Sequence, residues 1–168
     1  APALVIDGHT AWMANDDTSR WLGPVHPGTE SVAAGSYRYV TDFVLTASEA
    51  ASAEVRVRMA ADNRVNSLLL NGVATGRSWI GFQQWSPEIP IHSGFREGTN
   101  TLEFVWANDG GSPNPAGLRV EAQGTAMAGP DPSGRLASIP RTVHVTTAFV
   151  CDPTTATARL HLTGAVND

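Results

Sequence analysis

Three windows of this chain alternate apolar and polar residues with a period of two. Glu54-Val55-Arg56-Val57-Arg58-Met59 sets Val55, Val57 and Met59 on one side and charge on the other. Thr101 to Trp106 does the same with Leu102, Phe104 and Trp106, and Leu118 to Ala122 with Leu118, Val120 and Ala122. Side chains along a strand point alternately to the two faces of a sheet. This pattern therefore describes antiparallel strands with one face buried and one face wet. No window of helical length carries an equally clean period of 3.6. Ala47 to Ala53 is rich in alanine and could form one helical turn, but it lies between two strand patterns and reads as a connection.

The remaining segments fit between these strands. Residues 1–34 form an irregular N-terminal stretch with one short strand, Leu4-Val5-Ile6. Tyr37 to Leu45 is a strand with Tyr39, Thr41 and Phe43 on one face. Asp62-Asn63-Arg64 reads as a turn, and Ser67 to Leu70 as a buried strand that ends at the hairpin signal Asn71-Gly72. Pro87 and Pro90 put Ile89 and Ile91 at an edge or irregular position, because proline cannot donate to a ladder. Short strands at this spacing predict an all-β fold, an antiparallel β-sandwich of jelly-roll type, over residues 1–126. Its core is expected to hold Phe43, Val55, Val57, Leu68, Leu70, Leu102, Phe104, Trp106, Leu118 and Val120.

Residues 127–141 read as a linker, and 142–168 as two extra strands joined through Cys151-Asp152-Pro153. Val145 to Val150 resembles Val40 to Val44, and Thr157 to Asp168 resembles Ser52 to Asn63. Two readings stay open. The tail strands extend their own sandwich, or they begin a second repeat whose edges contact another chain.

Composition narrows the function classes. At 168 residues the chain is one domain with an extra piece. Its net charge of −5 and the lack of a basic run argue against nucleic acid. No apolar run approaches membrane-spanning length, so no membrane insertion is expected. Ala1-Pro2-Ala3 reads as a mature N-terminus left after cleavage at small residues, which implies a secreted protein, extracellular or at the cell surface. All 11 basic residues are Arg, so no Lys–Asn isopeptide link can staple the fold. The single Cys151 excludes an internal disulfide. Packing must hold the sandwich, alone or with a metal.

No catalytic signature is present. The chain has no Gly-x-Ser-x-Gly elbow, no His-Glu-x-x-His helix and no phosphate loop. His9, His26, His92, His144 and His161 are scattered at spacings that suit no standard metal site. Oxygen-rich turns offer Asp16, Asp17, Asp62 and Asp109 as carboxylate ligands for structural calcium. Trp79, Phe82 and Trp85 crowd one stretch, read as a loop from Gly76 to Trp85. An exposed indole offers sugar rings a flat apolar platform, and Arg77, Gln83 and Gln84 can bond their hydroxyl groups. Trp79, Arg77, Gln83, Gln84 and Trp85 are thus the candidate ligand contacts. Trp106 belongs to the core, while Trp12 and Trp21 pin the N-terminal stretch onto the sandwich.

An ordered set of motifs runs through residues 10–126. It comprises Trp12 to Trp21 with Gly23-Pro24, Tyr37 to Phe43, Ala61-Asp62-Asn63, Leu70 to Gly76, Ser93-Gly94-Phe95, Gly98 to Phe104 and Asn114 to Val120. The set resembles a galactose-binding-like jelly-roll module found in bacterial secreted and surface proteins, including those with PEP-CTERM sorting tails. It is similar to carbohydrate-binding modules of that fold. The resemblance implies a non-enzymatic extracellular module that binds carbohydrate or another surface polymer. The alternative is a structural subunit of a surface assembly or filament that self-assembles through its C-terminal strands.

Overall fold

The computed structural model describes residues 3–24 and 32–127 and the backbone of Pro140–His144. Chain order gives β1 (Leu4–Ile6), β2 (Trp21–Gly23), β3 (Gly35–Leu45), α1 (Ala47–Ser52), β4 (Glu54–Leu70) and β5 (Val73–Gly81). There follow β6 (Ile89–Ile91), β7 (Gly98–Asn108), β8 (Gly117–Met127) and β9 (Pro140–His144).

The architecture turns on β4, a strand of 17 residues. Its first half, Glu54 to Asp62, pairs antiparallel with β8 on one side, from Glu54↔Thr125 to Asp62↔Gly117, and with β6 on the other. Its second half, Arg64 to Leu70, pairs with β7 and β5. β2 adds to β8 through Leu22↔Leu118, and β3 adds to β7 from Gly35↔Asn108 to Leu45↔Gly98. One layer is therefore β2-β8-β4-β6 and the other β3-β7-β4-β5. With β4 shared between them, the two layers make the sandwich of jelly-roll type that the sequence predicts. A strand that bends from one sheet into the next makes the corner of such a sandwich. β1 extends the first layer beyond β2, and β9 pairs with the far end of β8 from Gln123↔His144 to Met127↔Pro140.

All ten residues expected in the core lie in one buried cluster between the layers. Phe104 and Trp106 are 0 % exposed. One row of the second layer runs Tyr37↔Trp106 and Trp106↔Val65, then Val65↔Trp79. Tyr37 stacks on Trp106 with ring centroids 4.8 Å apart.

Five expectations are corrected or refined. Asp62-Asn63-Arg64 is no chain reversal, because β4 passes through it. The polar side chains that suggested a turn serve the corner instead. Asp62 accepts the Trp12 indole N–H at 2.8 Å, and Asn63 accepts the Asp109 N–H at 2.6 Å. The connection at Ala47 is the helix α1, started by a capping box. The Glu49 N–H donates to the Thr46 hydroxyl, and the Glu49 carboxylate accepts the Thr46 N–H. Much of the loop from Gly76 to Trp85 is β5, which is exposed over most of its length and so shows no burial period. The N-terminal stretch carries β2 as well as β1. Met127 and Pro140-Arg141, taken as linker, belong to β8 and β9. The linker interior, Cys151 and the tail strands beyond His144 lie outside the described residues.

Phe104→Ala removes a fully buried ring from the shared core. A loss of about 3–5 kcal/mol is expected in denaturant unfolding, with the slope of the transition unchanged. An unshifted midpoint would take Phe104 out of the core.

Candidate functional site

The Asn71-Gly72 turn sends the chain back along β4 as β5. Asn71 and Gly72 have φ of 52° and 79°, the left-handed pair that a two-residue hairpin requires. Arg77 then lies opposite Leu68, and Trp79 opposite Val65. Both partners point into the core, so Arg77 and Trp79 share the inward side of β5. Trp79 is half-buried against the core, and its indole N–H has no partner among the described residues.

β5 and β6 flank the same strand at successive stretches but belong to different layers. Between them opens a groove of about 390 Å³. Leu70, Val73, Thr75 and Arg77 line one bank, and Pro90, Ile91, His92 and Ser93 the other. Leu70 and Ile91 are buried core residues, so the floor is apolar. The rim is polar. Arg77 is exposed and makes no hydrogen bond or ion pair among the described residues. On the opposite bank, His92 Nδ1 lies 3.3 Å from a Glu54 oxygen. Arg56 bonds Glu54 at 2.6 Å and Glu88 at 2.9 Å. The hydrogen bond from Arg56 is foremost in holding the Glu54 carboxyl below its usual value.

The other candidates lie elsewhere. Trp79 packs on the main core, whereas Phe82 and Trp85 pack on a second cluster with Ile6, Trp12, Trp21 and Ala60. The three aromatic rings therefore do not form one platform. Gln83 and Gln84 are exposed in the segment between Phe82 and Trp85. The Arg119 and Arg58 guanidinium carbons lie over the Trp85 ring, 4.9 and 5.1 Å from its centroid.

Alternation places Arg119 and Glu121 on the wet face of β8. The structure covers that face with the N-terminal stretch. Arg119 is 1 % exposed and donates to Asp16 at 2.6 Å, to Ser19 at 3.0 Å and to the Ala14 carbonyl. Glu121 accepts from Ser19 at 2.8 Å and from Arg58. Trp12 and Trp21 pack at a 44° tilt with centroids 4.6 Å apart, and Trp21 donates to the Met13 carbonyl at 2.7 Å. The two tryptophans do pin the stretch, as expected. Gly117 lets Trp12 and β2 approach, since a Cβ there would meet the Trp12 ring at 3.0 Å and the Leu22 carbonyl at 3.2 Å. No local sequence signal marks Arg119 for burial. Its partners lie 100 or more residues away in the chain.

The four candidate calcium ligands do not converge. Asp16 bonds Arg119, Asp62 bonds Trp12, Asp109 pairs with Arg64, and Asp17 is exposed. No three acid, histidine or cysteine side chains come together among the described residues.

The cover on β8 has a pH signature. The Thr18 hydroxyl, foremost, holds the Asp16 carboxyl far below its usual value; burial opposes it, and the Ser19 and Thr18 N–H groups and Arg119 add to it. Burial pushes Glu121 up, but bonds from Arg58, Ser19 and Thr18 outweigh it and the net shift is downward. A depressed carboxyl stabilises the fold above its unfolded value and loses that effect as pH falls. Thermal stability should therefore fall from about pH 4 downward. In Asp16→Asn the decline should be shallower and the neutral-pH melting temperature lower. Parallel curves for the two proteins would remove Asp16 from this role.

No protein-family model matches this chain, and no curated protein matches it. Among solved structures it is similar to a family 35 carbohydrate binding module from an environmental isolate, at 15 % identity and a TM-score of 0.34, over 77 % of this chain and 91 % of that one. A superposition at that level carries no argument about ligand.

Proposed function

We propose that this chain is a non-catalytic binding module whose ligand is a carbohydrate, or another hydroxyl-rich polymer, seated in the groove between β5 and β6. One observation carries the reading: an apolar floor lies beside a guanidinium that has no partner within the described protein. Four other surface arginines pair with carboxylates, and Arg20, which has no partner among the described residues either, does not line the groove. Arg38 pairs with Glu103, Arg56 with Glu54 and Glu88, Arg58 with Glu121, and Arg64 with Asp109.

The groove combines the two chemistries a sugar presents. Leu70, Val73 and Ile91 can cover ring C–H groups, while Arg77 offers five N–H donors in a planar fork and Ser93 a hydroxyl. The volume of about 390 Å³ is near the lower end of ligand sites, which run from about 300 to 1,000 Å³, so a short stretch of polymer fits rather than a long one. Trp79 follows Arg77 on the same side of β5 and supports that bank. Such a module works where polymers are met, outside the cell.

Arg77→Ala is expected to abolish retention on an immobilised polysaccharide while leaving the melting temperature within about 1 °C, because the Arg77 side chain bonds to nothing among the described residues. Ala74→Trp, which fills the groove from its rim, should do the same. Parent-like retention by both variants would place the ligand elsewhere.

A further inference from the structure

The two banks of the groove differ in how their charges are held. Arg77 on β5 has no carboxylate partner among the described residues. His92, just after β6, has its Nδ1 toward Glu54, and its side chain is 63 % exposed. Glu54 on β4 faces His92, Arg56 pairs with Glu54 and with Glu88 ahead of β6, and Arg77 lines the opposite bank of the groove. With His92 neutral, the two arginines and two glutamates of this rim cancel. A proton on His92 leaves the rim one positive charge in excess.

We propose that the groove is a pH-dependent anion site, in which Arg77 and protonated His92 together hold a carboxylate or sulfate group carried by the polymer. This rests on the groove being the binding site. The mechanism follows from the two ring nitrogens. Nδ1 lies 3.3 Å from a Glu54 oxygen, so a proton held there faces Glu54 and Nε2 is left for the ligand. In the neutral ring Nε2 is an acceptor and repels an anionic oxygen. In the charged ring it is a donor and binds one. Glu54 stays ionised throughout, because Arg56 holds its proton affinity down. The ring therefore keeps its orientation while its charge changes. Arg77 supplies the second cation, a planar guanidinium.

The test compares polymers that differ only in charge. Binding of the full chain to polygalacturonate and its methyl ester, and to dextran sulfate and dextran, is measured by affinity electrophoresis at about pH 5 and about pH 8, the range over which imidazoles change charge. An anionic polymer should bind about fivefold more tightly at the acid pH, the scale of one exposed charge pair, and its neutral counterpart should show no such change. The arm that responds identifies carboxylate or sulfate. His92→Gln should remove the pH dependence and keep the residual binding. Arg77→Gln should remove the preference for the charged polymer at about pH 8 and weaken it at about pH 5, where His92 alone still attracts the anion. Retained pH dependence in His92→Gln, or equal binding of charged and neutral polymers, overturns the proposal. If neutral polymers bind and Ala74→Trp blocks them, the groove remains the site and only the anion reading falls. No retention of any polymer overturns both.

Discussion

The fold depends on one strand belonging to two sheets. A β-sandwich normally needs a loop to carry the chain between layers, and a loop leaves backbone groups that must find partners. In β4 the ladder continues instead, with β8 as the partner up to Asp62 and β7 from Arg64. The corner is fixed by Trp12 on one side and Asp109 on the other. Because the layers share this strand, neither can be lost without breaking ladders in the other. A chain with no internal disulfide thereby gains a single cooperative unit.

The first layer has two buried faces. Its inner face carries Val57, Met59 and Leu118, and its outer face carries Ala60 and Arg119. Burying Arg119 is costly unless its guanidinium is hydrogen-bonded, and the N-terminal stretch meets each of its three nitrogens, with a hydroxyl, a carbonyl and a carboxylate. The stretch has little regular structure of its own. Its position comes from these polar contacts and from the indoles of Trp12 and Trp21.

What the sequence revealed follows from which strands have one wet face. β3, β7, β8 and the first half of β4 alternate clearly enough to locate the core. β8 alternates even though its polar face is covered, since the residues buried there are still polar. β5 shows no period because it is exposed on most of its length. The helix α1 was legible in principle through Thr46 and Glu49, but its alanines are ambiguous and its length is 6 residues. The outer cover was not legible. Trp12 and Asp62 lie 50 residues apart, and Asp16 and Arg119 lie 103 apart, so no window of strand or helix length contains either pair. For the candidate site, sequence chemistry selected Arg77 and Trp79 but joined them to Trp85, which the path of β5 carries to another cluster. His92 and Ser93 were passed over because their relation to β5 exists only after β4 has folded across both layers.

The groove inherits a mechanical property from that geometry. One bank stands on β5 and the second layer, the other on β6 and the first, and Leu70 near the end of β4 forms part of the floor between them. Its width is therefore a readout of the angle between the layers. Any molecule that touches both banks acts as a cross-brace on the sandwich. Occupancy would resist shear of one sheet over the other, and a core substitution that alters the sheet spacing would be felt at the groove without touching any residue that lines it.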